Sequence, residues 1–93
     1  MILEVAVLNI KEGLSEKFEE NFKIASSIIS SMKGYKSLDL KRCLEIEGQY
    51  ILLVNWETIE DHEEGFRKSL EYQQWKELLH RFYDPFPTVL HYK

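Results

Sequence analysis

The sequence predicts an α+β fold, a four-stranded antiparallel sheet with two or three helices on one face. Three observations lead there. Apolar runs with two-residue alternation stand at the start, in the middle and at the end of the chain. Between them, two stretches repeat apolar residues at three- and four-residue spacing. The two patterns succeed one another as strand, helix, strand, strand, helix, helix, strand. At 93 residues the chain is short enough to be one domain, 1–93.

Residues 2–11 read as the first strand. Ile2, Ala6, Leu8 and Ile10 share one face and Leu3, Val5 and Val7 the other, so both faces are apolar. Gly13 ends it, and Ser15 stands where an N-cap would open a helix over 15–32. Phe18, Phe22, Ala25, Ile28, Ile29 and Met32 form a single stripe on that helix, which Gly34 closes. Residues 35–46 alternate at Leu38, Leu40, Arg42 and Leu44 as a more polar second strand, and "EGQ" at 47–49 reads as a short hairpin turn. Tyr50 to Trp56 is the third strand, again with large apolar residues on both faces. Thr58 with Asp61 three residues on resembles a capping box, opening a short helix to about Lys68. Ser69 is placed to cap a last helix carrying Leu70, Trp75, Leu78, Leu79 and Phe82. "DPFP" at 84–87 stops it, and "TVLHY" supplies the fourth strand. This is the ferredoxin-like split β-α-β order.

A sheet with one wet face alternates apolar and polar residues, yet the first and third strands are apolar on both faces. The chain has no spare helices for a second layer. A homodimer with sheets meeting face to face is therefore expected.

The net charge of −4, with no basic stripe, speaks against nucleic-acid binding. No apolar stretch approaches the ~20 residues of a membrane span. "MILEVAVLNI" is too short for a signal peptide, lacks a basic start and contains Glu4. The single Cys43 cannot form an intrachain disulfide, fits a reducing cytoplasm and reads as a buried bystander thiol.

Little of the sequence carries catalytic pattern. "HEEGF" begins like a zinc-protease helix but has Phe66 where a second His is required. His62, His80 and His91 are scattered along the chain, and no metal site is expected. What remains is one-sided. His62 and Phe66 share a helix face at four-residue spacing, with Gly65 marking close packing or a break. Tyr72 and Trp75 lie one turn apart on the next helix, and Trp56 ends the third strand. Converging, they would line an aromatic cavity between helices and sheet, with a neutral His as its one group titrating near neutrality. The same residues would also serve as plain core, and Arg67 can pair with Glu63 or Glu71 at four-residue spacing.

"NWETIEDHEEGFRKSLEYQQWKELLHRFYDPFPTVLHY" resembles the C-terminal half of antibiotic biosynthesis monooxygenase (ABM) domains. The resemblance rests on a Trp-acidic strand end, "DH..GFR.S..Y..W", "DPFP" and a terminal "HY"; the N-terminal half agrees in length and element order. It implies ferredoxin-like subunits paired as a dimeric α+β barrel. Function is implied more loosely, because one scaffold hosts several activities. Some members oxidise phenols or quinols with molecular oxygen and neither metal nor flavin. On that pattern His62 would accept a proton or hydrogen-bond a small aromatic substrate. Trp56, Phe66, Tyr72 and Trp75 would wall its ring, and Arg67 would stabilise an oxyanion. Other members bind and degrade haem through an Asn on the first strand and a Trp and a His on helices. Those places hold Ala6, Phe66 and about Lys76 here, with Asn9 and Trp75 out of register, leaving His62 or His80 as candidate iron ligands. A non-catalytic small-molecule binder is the third alternative.

Overall fold

A computed structural model describes all 93 residues. Strands β1 (Ile2–Asn9), β2 (Tyr35–Arg42), β3 (Gln49–Trp56) and β4 (Val89–Tyr92) form one antiparallel sheet in the order β2-β3-β1-β4. Helices α1 (Ser15–Ile29) and α2 (Leu70–Leu79) lie together on one face. The order β-α-β-β-α-β and the α+β ferredoxin-like class are as the sequence predicts.

Register decides which side chains meet. Ala6 pairs with Leu52, and Leu52 with Leu40, so these point together into the helical layer. Phe18, Phe22, Ala25 and Ile29 of α1 close over them with Trp75 and Leu79 of α2. The opposite face carries Leu3, Val5, Val7, Ile51, Leu53, Leu90 and Tyr92; Val7 is 43% exposed, and Leu90 and Tyr92 are each 52% exposed. No element of the chain covers that face.

Several local expectations need correction. Leu14, not Ser15, holds the N-cap of α1, and no side chain caps it. The helix stops at Ile29 rather than 32, and Ser30–Gly34 turns the chain. There Gly34 sits at φ +84°, where a Cβ would also overlap the Asp61 side chain. Strand β2 ends at Arg42, so β2 and β3 are joined by a six-residue loop, 43–48, and not by a tight turn over 47–49. That loop leaves Cys43 half-buried and Leu44 91% exposed; the thiol is not a core residue. Leu70 is likewise exposed, at the first turn of α2.

Half of the expected capping box forms: Asp61 N–H donates to Thr58 Oγ1 (3.1 Å), while the Asp61 carboxylate accepts from the Thr58 hydroxyl (3.0 Å) in place of the backbone N–H. From this cap the chain winds into a π-helix, Asp61–Phe66, closed by Arg67 N–H donating to His62 O (3.0 Å). A Cβ at Gly65 would make ordinary contact, so that glycine marks the irregular turn and not a tight approach. Ser69 caps α2 as expected, its hydroxyl accepting from Tyr72 N–H (3.1 Å).

Candidate active site

Between the inner sheet face and the helices lies a cavity of about 370 Å³. That is within the size of small-molecule sites, which run from roughly 300 to 1,000 Å³. Ala6, Leu8 and Leu52 make its floor, and Phe66, Tyr72 and Trp75 an aromatic wall. The rings of the wall meet edge to face: Phe66 and Tyr72 at 5.3 Å and 89°, Phe66 and Trp75 at 5.6 Å and 83°.

The π-helix explains why one short segment supplies so much of the site. Its hydrogen bonds span five residues, so His62, Phe66 and Arg67 come to one side, and all three line the cavity. Trp56, grouped with them from the sequence, is fully buried and does not reach the wall. It lies behind His62 in a stack at 5.4 Å and 19°.

Sequence reasoning missed Tyr83, Phe86 and Glu4 as site residues and offered His80 only as an iron ligand. Ile10 bridges to Tyr83, Lys11 N–H donates to Phe82 O and Asp84 N–H to Asn9 O, both at 2.9 Å; these ties fasten residues 82–84 to the end of β1. They bring Tyr83, Phe86 and His80 to the cavity, with His80 and Phe86 in edge contact at 4.9 Å. The remaining one is Glu4. Residues two apart share a strand face, so Glu4 lies with Ala6 and Leu8 on the inner side, 5% exposed. A carboxylate in that position is itself a signal, since buried charge is costly unless paired.

Glu4 is paired. Trp56 Nε1–H donates to its Oε1 (2.9 Å), and His62 Nε2 stands 3.3 Å from the same oxygen. Oε1 is thereby engaged, no buried polar atom lacks a partner, and Glu4 lines the cavity; its second oxygen therefore meets the open space. His62 is held from its other side as well, with Nδ1 2.8 Å from His91 Nε2 on β4. The histidines are not all scattered: β4 pairs His91 across from Glu4, and His62 packs over both.

Burial dominates the electrostatics. It pushes the Glu4 carboxyl above its ordinary range, with the Trp56 N–H and then the Arg67 charge pulling the other way. It drives His62 down to about 3, helped by Arg67 and His91. His62 is thus a neutral imidazole at physiological pH and not a group titrating near neutrality. His80 is also lowered, by burial and then Lys76. Arg67 reaches the cavity while its Nη1 stands 4.0 Å from Glu63, so the pairing expected from spacing is a loose one.

For haem, both ring nitrogens of His62 are occupied, which removes it as a ready iron ligand. Ala6 and Phe66 line the cavity, while Lys76 is exposed on α2. His80 remains as a half-buried imidazole at the cavity.

A four-stranded antiparallel sheet with one helical layer and a cavity between them defines the ferredoxin-like α+β class. The chain belongs to the antibiotic biosynthesis monooxygenase family, whose model matches residues 1–78. It is 59% identical over 93 residues to the uncharacterised protein YczJ of Bacillus subtilis (strain 168), covering all of this chain and 98% of that one. A Bordetella bronchiseptica structure assigned to the same family superposes with a TM-score of 0.94 at 29% identity, covering 99% of this chain and 94% of that one. SnoaB, a cofactor-independent oxygenase from Streptomyces nogalater, has the same fold at a TM-score of 0.78 and 14% identity, over 98% and 87% of the two chains. The matched residues stop short of His80, Tyr83 and His91, which complete the site here.

Proposed function

We propose that this protein oxidises a small aromatic or quinol-like compound with molecular oxygen in the cavity between sheet and helices, without metal or organic cofactor. The observation that carries the reading is the pairing of an aromatic-walled cavity of about 370 Å³ with a buried carboxyl–imidazole pair on its wall. Phe66, Tyr72 and Trp75 hold the ring. The Glu4–His62 pair takes the hydroxyl proton, and Arg67 stabilises the resulting oxyanion. The electron-rich anion then reduces oxygen directly. For a hydroquinone the balance closes without another reductant: one oxygen atom enters the ring, the other leaves as water, and all four electrons come from the substrate. Trp56 supports this arrangement from behind by fixing Glu4 and His62.

The test is oxygen consumption by metal-free protein across a quinol panel. Turnover that falls at least 10²-fold in His62→Ala supports the reading, since positioned acid–base groups contribute roughly 10²–10⁴-fold. If no quinol is turned over faster than by that variant, the assignment fails.

The working form on this reading is a homodimer. The uncovered apolar face made by Leu3, Val5, Val7, Ile51, Leu53, Leu90 and Tyr92 supports it, because a second sheet would remove that surface from water. Light scattering should give twice the chain mass at micromolar concentration, and Val5→Lys should give the monomer. A monomeric parent protein would refute the pairing. The free thiol at Cys43 accords with a cytoplasmic setting, and no helix is long and apolar enough to cross a membrane.

A further inference from the structure

We propose that Glu4 is the group that exchanges a proton with the substrate, and that His62 and His91 form a proton wire connecting Glu4 to solvent while the cavity is occupied. This deepens the oxygenase reading and rests on it for the identity of the substrate.

The geometry is a chain of close polar contacts, with one hydrogen-bonded link between the histidines and one close contact between His62 and Glu4. Glu4 presents one oxygen to the cavity and the other to His62 Nε2 at 3.3 Å, and His62 Nδ1 meets His91 Nε2 at 2.8 Å. Glu4 and His62 are almost fully buried, whereas His91 is half-buried on the edge strand β4 and is not among the cavity-lining residues. A ligand filling the cavity would cut Glu4 off from water on its open side. The route through the histidines leaves by a different side and stays available.

Two proton arrangements fit these contacts once a small rotation of the His62 ring aligns Nε2 with Glu4 Oε1. In the first, Glu4 is a carboxylate accepting from Trp56 Nε1–H and His62 Nε2–H, while His62 Nδ1 accepts from His91 Nε2–H. In the second, Glu4 is a neutral acid donating to His62 Nε2, His62 Nδ1–H donates to His91 Nε2, and His91 carries its proton on Nδ1. A proton arriving at His91 Nδ1 converts the first into the second. His91 passes its Nε2 proton to His62 Nδ1, and His62 passes its Nε2 proton to Glu4. The reverse shifts strip Glu4 and release one proton at His91 Nδ1. No bond other than N–H and O–H changes, and each ring stays neutral at both ends of the transfer.

Burial supports this division of labour. His62 resists holding a net charge, so its two proton shifts have to be concerted, while Glu4 is lifted towards a proton it can both take and return. The charged and titratable groups facing the chain are Arg67 from the π-helix, which opposes positive charge on His62 and favours the Glu4 carboxylate, and Tyr83 after α2, which burial keeps as a phenol. Trp56 acts as a positioning residue, holding Glu4 Oε1 and stacking on the His62 ring.

The wire is tested first without substrate. In the whole protein with ¹⁵N-labelled histidine and ¹³C-labelled glutamate, NMR should show a coupling between His62 Nδ1 and His91 Nε2 across one shared proton. Protonation of the Glu4 carboxyl should switch the neutral His62 ring from its Nε2–H to its Nδ1–H tautomer. Absence of either overturns the wire, whatever the activity. The second arm uses any quinol that the protein oxidises. A kcat profile reports groups titrating in the substrate complex, and kcat/KM reports those of the free enzyme. The parent kcat should bend with pH. In His91→Ala, Glu4 can equilibrate only when the cavity is empty, so the bend should vanish from kcat and persist in kcat/KM. A His91→Ala kcat that bends as the parent does overturns the proposal. If the parent oxidises no quinol, the oxygenase reading falls, and the NMR result alone decides the wire.

Discussion

His62 should make this protein acid-labile in a way that one substitution removes. Its ring is 3% exposed, stacked on Trp56 and held between Glu4 and His91, and burial lowers it from 6.5 to about 3. A group depressed on folding contributes stability that is complete above its unfolded value and is lost as pH falls through its folded value. The relevant window therefore opens near 6.5 and closes near 3. At about pH 4 the unfolded chain holds this proton and the native state refuses it; at ~1.4 kcal/mol per unit over roughly 2.5 units, the loss is about 3 kcal/mol. Glu4 has the opposite sign: its carboxyl is raised on folding, so its contribution is present below 4.5 and is lost as pH rises through the folded value. Urea unfolding of the parent and His62→Gln between about pH 8 and pH 4 reads the His62 term, with the Glu4 midpoint followed by ¹³C NMR in both proteins to subtract any change at that neighbouring carboxyl. The parent should lose about 3 kcal/mol more than the variant over that span. Parallel curves would show that His62 is not held neutral by its surroundings.

Two further perturbations probe the supports of the site. Gly34→Ala places a side chain at φ +84° and against Asp61, whose carboxylate is hydrogen-bonded to Thr58 and 3.5 Å from Lys33 Nζ. A destabilisation of about 2–3 kcal/mol is expected by urea titration, and a neutral result would mean the 58–61 cap is freer than its contacts imply. Trp56→Phe keeps a ring under His62 but deletes the N–H to Glu4, at about 1.5–3 kcal/mol for a bond to a charged acceptor. Because that N–H pulls the carboxyl down, the Glu4 midpoint read by ¹³C NMR should rise in the variant; an unchanged midpoint would remove Trp56 from the site.

Element order, the apolar stripe of α1, the Thr58 and Ser69 caps and the two-faced strands were all legible in the chain, because each depends on near neighbours and a fixed period. The 43–48 loop was misread because "EGQ" looks the same inside a tight turn and at the end of a longer loop. The π-helix was invisible, since one extra residue in a turn leaves no separate mark on the sequence beyond Gly65. His62, Phe66 and Arg67 could be grouped by spacing, and the cavity does bring them together.

The sequence by itself determined the α+β class, the apolar face left without cover and the aromatic helix faces, since periodicity and burial are local properties. The tertiary structure alone decided the chemistry of the site. Glu4, His62 and His91 are far apart in the chain and meet because β1 pairs with β4 in a register that sets residue 4 opposite residue 91, beneath the π-helix. Strand register is a long-range choice. It turned a carboxylate in an apolar strand and two separate histidines into one chain of close polar contacts at a cavity wall.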